Sequence, residues 1–429
     1  MPTKSCVIHI VHTAKWHEAQ VNLDVAACLE EAIGLALAID LDVVHQQIIQ
    51  LHKLVPATLL GQGNVQSLKA IIAAQDIKLV IIDFSLSPVQ QRNLEKAWQC
   101  KVIDRTGLIL EIFGERARTA EGRLQVELAA LNYQRSRLVR TWTHLERQRG
   151  GFGFTGGPGE SQLELDRRLI DERIIKITKE LDQIKRTRSL HRKARKEVPY
   201  PVIALVGYTN AGKSTLFNRL TQAKVLAKDM LFATLDPTMR QVRLPSGRDV
   251  IVSDTVGFIS NLPIQLVMAF RATLEEVCAA DIILHVRDGA HPNSLQQALE
   301  VEKVLGELGL EEAFLKEAVI NVYNKVDLLD LEQRRILANS VRHQSTSVLI
   351  SAITGEGIDH LSQLIDQHLN RKKLTLEIDL PSNRGDMLAW LYRRGAIVDR
   401  YDHEDTIHLH LKISAEDYAR FKSRFFPLS

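Results

Sequence analysis

Pro201-Val-Ile-Ala-Leu-Val206 runs directly into Gly207-Tyr-Thr-Asn-Ala-Gly-Lys-Ser214 and then into Thr215-Leu-Phe-Asn-Arg-Leu220. The first six residues are a continuous apolar run of strand length, and the last six have helical spacing. GxxxxGK[ST] therefore stands between a strand and a helix, the context in which that spacing makes a phosphate-binding loop. Gly207, Tyr208, Thr209, Asn210, Ala211 and Gly212 form the expected cradle. Its glycines let backbone N–H groups approach phosphate oxygens, and the following helix turns its positive end toward them. Lys213 is expected on the β- and γ-phosphates and the Ser214 hydroxyl on Mg2+.

Working outward, the remaining chain supplies partners in a consistent order. Val250-Ile-Val-Ser-Asp254 is an apolar strand followed by Thr255, Val256 and Gly257. Asp254 can hold Mg2+ through water, and the Gly257 N–H can sense a γ-phosphate. Asp281–Val286 and Val319–Tyr323 are further buried-strand runs, the second leading into Asn324, Lys325, Val326 and Asp327; Ser347–Ile350 is another, leading into Ser351, Ala352 and Ile353. The pattern predicts a parallel sheet whose strand C-termini converge on one ligand. A carboxylate at Asp327 accepts both N1–H and the exocyclic amine of guanine. Adenine has an acceptor at N1 and would leave the carboxylate unpaired, at a cost of about 1–3 kcal/mol. GTP is favoured over ATP, with an additional ATPase activity left open.

Gly207–Ser214, Asp254–Gly257, Asn324–Asp327 and Ser351–Ile353 resemble the G1, G3, G4 and G5 motifs of translation-factor-class GTPases. Phe232, Ala233, Thr234, Leu235 and Asp236, continuing into Pro237-Thr238, resemble the switch I motif of the HflX-type ribosome-associated GTPases. The stretch Gly150-Gly-Phe-Gly-Phe-Thr-Gly-Gly-Pro-Gly-Glu-Ser-Gln-Leu-Glu-Leu-Asp-Arg-Arg168 is similar to that family's signature ahead of the G domain. The resemblance implies a GTP-hydrolysing factor with Lys213, Thr234 and Gly257 at the reacting phosphates and Ser214 and Thr234 on Mg2+. Thr238 is the rival of Thr234 as the switch I ligand. It further implies binding to the large ribosomal subunit and its RNA, with dissociation of stalled or idle ribosomes. Asn210 resembles the asparagine of potassium-activated GTPases, which makes K+ a candidate activating ion. Many GTPases carry Gln after the G3 glycine; here Phe258 stands there and can neither orient nor polarise water, so packing is its natural role and slow intrinsic turnover is expected. Arg240 and Arg243 are the candidates for a cis arginine finger, with no further support in the sequence.

The net charge of +3 conceals an uneven distribution. Residues 115–199 carry 20 Lys+Arg against 12 Asp+Glu, which leaves the rest of the chain at −5. Such a basic segment is the footprint of a polyanion contact. Within it Leu124, Leu128, Leu131, Leu138, Trp142 and Leu145 follow 4-3 spacing, and Ile170, Ile174, Ile177, Leu181 and Ile184 repeat it. Two such stripes around a glycine-rich break read as an antiparallel helical hairpin. The break, Gly150 to Glu160, is longer than a turn requires and holds Phe152 and Phe154, which suit stacking on exposed bases. The plainer alternative is a core-packed helix pair with an ordinary glycine turn. Lys185–Lys196 has seven Lys or Arg in twelve residues and no acid, which also suits a solvated helix end.

The first ~110 residues alternate strand and helix patterns (Cys6–Val11, Leu23–Ala38, Val65–Ala74, Lys78–Asp83, Val89–Trp98, Lys101–Asp104) and predict a small α/β domain with no readable chemistry. From Lys372 a small α+β unit follows, in which His408 and His410 share a strand face as ordinary surface residues. The expected fold class is thus α/β and multidomain: an N-terminal α/β domain (1–114), a helical hairpin arm (115–198), a P-loop GTPase domain (199–370) and a small α+β C-terminal domain (371–429). Cys6, Cys28, Cys100 and Cys278 form no CxxC pair, and no apolar run approaches the ~18 residues of a membrane helix. A cytoplasmic, monomeric protein without membrane insertion is expected. Two other classes of function compete: a nucleotide-tuned RNA remodeller, and a signalling switch with a protein partner and a purely structural arm.

Overall fold

The computed structural model describes residues 2–12, 23–117, 119–148, 158–195, 200–222, 232, 238–260, 277–342, 344–371, 373–393, 396–403 and 405–426. Its N-terminal part consists of β1 (Lys4–His12), α1 (Val25–Leu37), β2 (Asp42–Leu51), α2 (Gln62–Ala74), β3 (Leu79–Asp83), α3 (Pro88–Trp98), β4 (Lys101–Asp104) and α4 (Arg105–Arg116). The four strands form a parallel sheet in the order β2-β1-β3-β4. Alternate residues of β1 serve two cores. Val7 packs with Leu35, Leu108 and Phe113 on the α1/α4 face, and Cys6 and Ile8 pack with Leu68, Leu94 and Trp98 on the α2/α3 face. A strand covered on both sides reads as an unbroken apolar run.

Two elements of this N-terminal part were not legible in the sequence. The strand β2 is an edge strand interrupted by His45-Gln46-Gln47, so it shows neither alternation nor an apolar run. Helix α4 carries two glycines and a Leu-Ile-Leu block in place of helical periodicity, and it runs through the expected domain boundary at 114/115.

The arm is α5 (Ala120–Gln148) and α6 (Pro158–Arg195). Arg173 makes two hydrogen bonds to the Glu127 carboxylate (2.7 and 2.9 Å) and Arg135 one to Asp171 (3.2 Å), so rising numbers on one helix meet falling numbers on the other. The predicted seam is where the helices meet: Ile177 is buried and Ile170, Ile174, Leu181 and Ile184 half-buried, while the off-seam Leu169 and Ile175 are exposed. The predicted break is shorter than expected, because Pro158, Gly159 and Glu160 already belong to α6. Phe152 and Phe154 lie outside the described residues.

The central unit contains β5 (Val202–Gly207), α7 (Lys213–Thr221), β6 (Thr238–Arg243), β7 (Asp249–Asp254), β8 (Ile282–Asp288), α8 (Ser294–Glu307), α9 (Glu312–Ala318), β9 (Val319–Asn324), α10 (Leu331–Val341), β10 (Ser347–Leu349) and α11 (Ile358–Arg371). Its sheet order is β10-β9-β8-β5-β7-β6. Five strands are parallel as predicted, and β6 joins antiparallel to β7 as an unpredicted edge. Ile203 and Leu205 face Phe217 and Leu361, whereas Ala204 and Val206 face the other way, into the cluster that holds Leu35 and Phe113 of the N-terminal unit. The two units therefore share one apolar interface. The chain ends in β11 (Lys373–Pro381), α12 (Gly385–Arg393), β12 (Ile397–Asp402), β13 (Thr406–Ser414) and α13 (Ala415–Phe425), an antiparallel sheet β11-β13-β12 covered by Trp390 and Phe421.

Candidate nucleotide site

The strand β5 delivers the phosphate loop to the edge of the sheet, and α7 begins at Lys213. Gly212 has φ +90°, and a Cβ there would lie 2.1 Å from Asn324 Nδ2, so only glycine lets the loop pass this close. Asn324 ties two loops together: its Nδ2 donates to Ala211 O (2.9 Å), and its Oδ1 accepts from Ala352 N–H (2.9 Å). The loops after β5, β9 and β10 are thus locked through one buried amide. Lys325 sits at φ +64° with its ammonium 2.8 Å from Asp288, Val326 is buried, and Asp327 stands exposed on a 3-10 turn. Ser351 is buried beside Ala352, and Ile353 is exposed.

Lys213 Nζ is buried and donates to Tyr208 O (2.7 Å). Burial pulls its pKa down to about 8, against the opposing pull of Asp254. Ser214 Oγ donates to Asp254 Oδ2 at 2.7 Å. A hydroxyl and a carboxylate side by side are hard oxygen donors, and Mg2+ at nucleotide sites typically takes one or two such groups plus phosphates and waters. The donor chemistry fits that ion. Among the described residues no group of three or more His, Cys, Asp or Glu could hold a metal by itself.

The G3 segment folds back onto the phosphate loop. Phe258 N donates to Gly207 O (3.1 Å) and Thr209 N to Phe258 O (2.7 Å), while Thr255 Oγ1 donates to Leu205 O (2.6 Å). A Cβ on Gly257 would meet Lys213 Nζ at 2.9 Å and Thr209 at 3.0 Å. Phe258 and Val256 are buried in the interdomain cluster, so Phe258 packs and is not poised toward a water. Thr209 Oγ1 is buried with no hydrogen-bond partner among the described residues.

Switch I is described only at its margins. Phe232 is buried against Phe113 of α4 (ring centroids 4.6 Å apart), while Ala233, Thr234, Leu235 and Asp236 lie outside the described residues. Thr238 opens β6 directly opposite Asp254. Arg243 is exposed and paired with Asp249, away from the phosphate loop's hydrogen bonds. Asn210 is exposed at φ +60°. His408 and His410 face Asp379 and Glu377 on the outer side of the C-terminal sheet, as surface residues.

Sequence reading missed His285, which pairs in register with Val206 beside the loop. Burial, with Arg287 and Lys213 nearby, drives its pKa down to about 3, so it stays neutral at ordinary pH. It also missed Glu31, Arg105 and Ser260, which meet Tyr208; no local pattern marks them, because each belongs to a different element.

Four family models match in succession: a GTP-binding GTPase N-terminal region (26–114), a GTP-binding GTPase middle region (116–195), a 50S ribosome-binding GTPase (202–325) and an HflX C-terminal domain (336–425). The chain is similar to a GTPase HflX of Magnetococcus marinus, 51% identical over 88% of this chain and 86% of the relative. A GTPase HflX of Escherichia coli is 43% identical over 85% of this chain and 84% of the relative, and one of Lacrimispora saccharolytica is 42% identical over 96% and 94%.

Proposed function

This chain belongs to the HflX family of GTPases, and from that premise we propose that it binds the large ribosomal subunit and dissociates stalled or idle ribosomes in the cytoplasm. The observation that carries the reading is the joining of a GTPase site to a basic helical arm. The match of residues 202–325 to a 50S ribosome-binding GTPase model supports it. The reading takes the chain as four units, 1–114, 115–198, 199–370 and 371–429, with α4 bridging the first boundary. Among the described residues no helix is long and apolar enough to cross a membrane.

At the site, backbone N–H groups of residues 207–212 embrace the phosphates, and Lys213 neutralises charge on the β- and γ-phosphates. Ser214, with Asp254 behind it and Thr234 from switch I, would hold Mg2+, which would supply positive charge to the phosphate oxygens. Gly257 offers its N–H to the γ-phosphate, and Asp327 reads guanine. Among the described residues, Phe258 after Gly257 is packed away and cannot orient the attacking water. Turnover is therefore slow until a partner completes the site. The exposed Asn210 would be the residue that holds K+, which would add positive charge beside the phosphates. GTP orders the switches and fixes the arm-bearing arrangement, and hydrolysis releases it.

The test is GTP hydrolysis with and without purified large subunits, in potassium and in sodium buffer, with light scattering of intact ribosomes alongside. Stimulation of at least about tenfold, together with loss of the intact-ribosome signal, is expected. Absence of both stimulation and binding would overturn the ribosomal reading, and equal rates in the two buffers would remove K+.

A further inference from the structure

The N-terminal sheet order β2-β1-β3-β4 reverses direction beside β1. In open parallel sheets such a reversal leaves a crevice at the strand C-termini where ligands bind. In this chain the crevice is lined by charge. His9 of β1 lies opposite Asp83 of β3, with Nδ1 2.6 Å from Asp83 Oδ2. Asp83 Oδ1 accepts from Arg105 Nη1 (2.5 Å), and Arg105 Nη2 donates to Glu31 Oε1 (2.5 Å). Burial opposes the Arg105 charge, but Asp83 and Glu31 outweigh it and hold the guanidinium protonated.

The crevice is filled by the chain's own G3 segment. Arg105 Nε and Nη2 donate to Ser260 O (3.3 and 3.2 Å), and Nη2 also to Ser260 Oγ (3.1 Å). Ser260 N–H donates to Tyr208 OH (2.8 Å), which in turn donates to Glu31 Oε2 (2.7 Å). The backbone N–H, carbonyl and hydroxyl of Ser260 are all engaged. Three residues upstream, Gly257 is pressed against Lys213 and Thr209, and Phe258 is hydrogen-bonded to the phosphate loop on both sides. Residues 257–260 are a short strap, pinned at one end to the phosphate loop and at the other to Arg105.

We propose that Arg105 is a positioning residue for GTP: the strand-end crevice of the N-terminal domain takes the 257–260 strap as its ligand, and its grip on Ser260 holds Gly257 where a γ-phosphate is met. The partner of this domain is thus a segment of the same chain. GDP has no γ-phosphate to meet Gly257, so loss of the grip separates the two nucleotides, whereas general damage to the fold weakens both. The inference uses only GTP binding and hydrolysis, so a negative ribosome experiment leaves it standing.

The experiment measures, on the full chain, affinities for GDP and for a non-hydrolysable GTP analogue, with single-turnover hydrolysis, in the parent, Arg105→Ala and Arg105→Lys. Arg105→Ala is expected to leave GDP affinity within about twofold and to weaken analogue binding and slow hydrolysis about tenfold, inside the usual range of coupling between linked sites. Arg105→Lys is the variant that keeps the buried cation beside Asp83 but lacks the fork that spans Glu31 and Ser260. It should show the same split, reduced to roughly threefold, and it decides the matter if the alanine variant does not fold. Equal losses for both nucleotides, or an unchanged analogue-to-GDP ratio in the folded variants, would overturn the proposal.

Discussion

Lys213 shows how a single residue links burial to function. Its ammonium is enclosed by the phosphate loop, and burial brings its pKa to about 8 from an ordinary 10.5. The folded state therefore binds fewer protons than the unfolded state between those values. Folding stability rises with pH across that window, and at neutral pH the charge is held at a cost. Nucleotide phosphates reverse the balance by stabilising the cation, so binding takes up a proton above pH 8. GDP affinity measured by calorimetry should fall roughly twentyfold between pH 7.5 and 9.5, with proton uptake growing over the same range. A flat profile would mean that Lys213 stays protonated without ligand. The residue's identity was plain in the sequence; its enclosure, and the neutral His285 beside the loop, were not.

At the scale of elements, the junction of β4 and α4 carries more than its length suggests. Asp104 is the N-cap of α4, accepting from Gly107 N (2.8 Å), and it also accepts from Leu86 N (3.2 Å), Tyr133 OH (2.6 Å) and Arg137 Nη2 (2.7 Å). The last two come from α5, so one carboxylate caps a helix and moors the arm. Burial, with Asp104 next in effect, pushes the Tyr133 phenol far above its ordinary range, which keeps it a donor. Arg137 also stacks over the Tyr133 ring, 4.3 Å from its centroid. Removing a carboxylate from a buried pair leaves its cation uncompensated, so Asp104→Ala should lower stability by about 3 kcal/mol in urea unfolding. The arm helices should also become more open to protease than the central unit. Loss of only the cap, about 1 kcal/mol, would show that the mooring contributes nothing.

For the whole molecule, the adjoining residues Asp104 and Arg105 face opposite partners: Asp104 holds the arm and Arg105 holds the strap that follows Gly257. With Phe232 against Phe113, both switch margins touch α4. The nucleotide site and the arm are therefore attached to one short helix. The arm's charge acts at longer range. If it meets RNA phosphates, binding to large subunits falls steeply with salt, and replacing four of the basic residues in Lys185–Lys196 by Gln should reduce the log–log salt slope by about 3 to 4. A slope that does not change with those substitutions would return the arm to a structural role and favour a protein partner.

The sequence alone made legible the phosphate loop, the five parallel strands of the central sheet and the paired helices of the arm. Each of these is a local pattern, in which a strand, a glycine turn or a 4-3 stripe is specified by residues close together in the chain. It left β2 and β6 unread because edge strands lack the apolar run of buried ones, and α4 because glycines break its period. Only the tertiary structure decided that Glu31, Asp83, Arg105, Tyr208 and Ser260 meet, since they come from five separate segments. Their charge makes sense only once all are buried together, where an arginine needs both carboxylates and a backbone carbonyl finds its donor. Pairing over such distances is a property of the packed chain, and no window of sequence contains it.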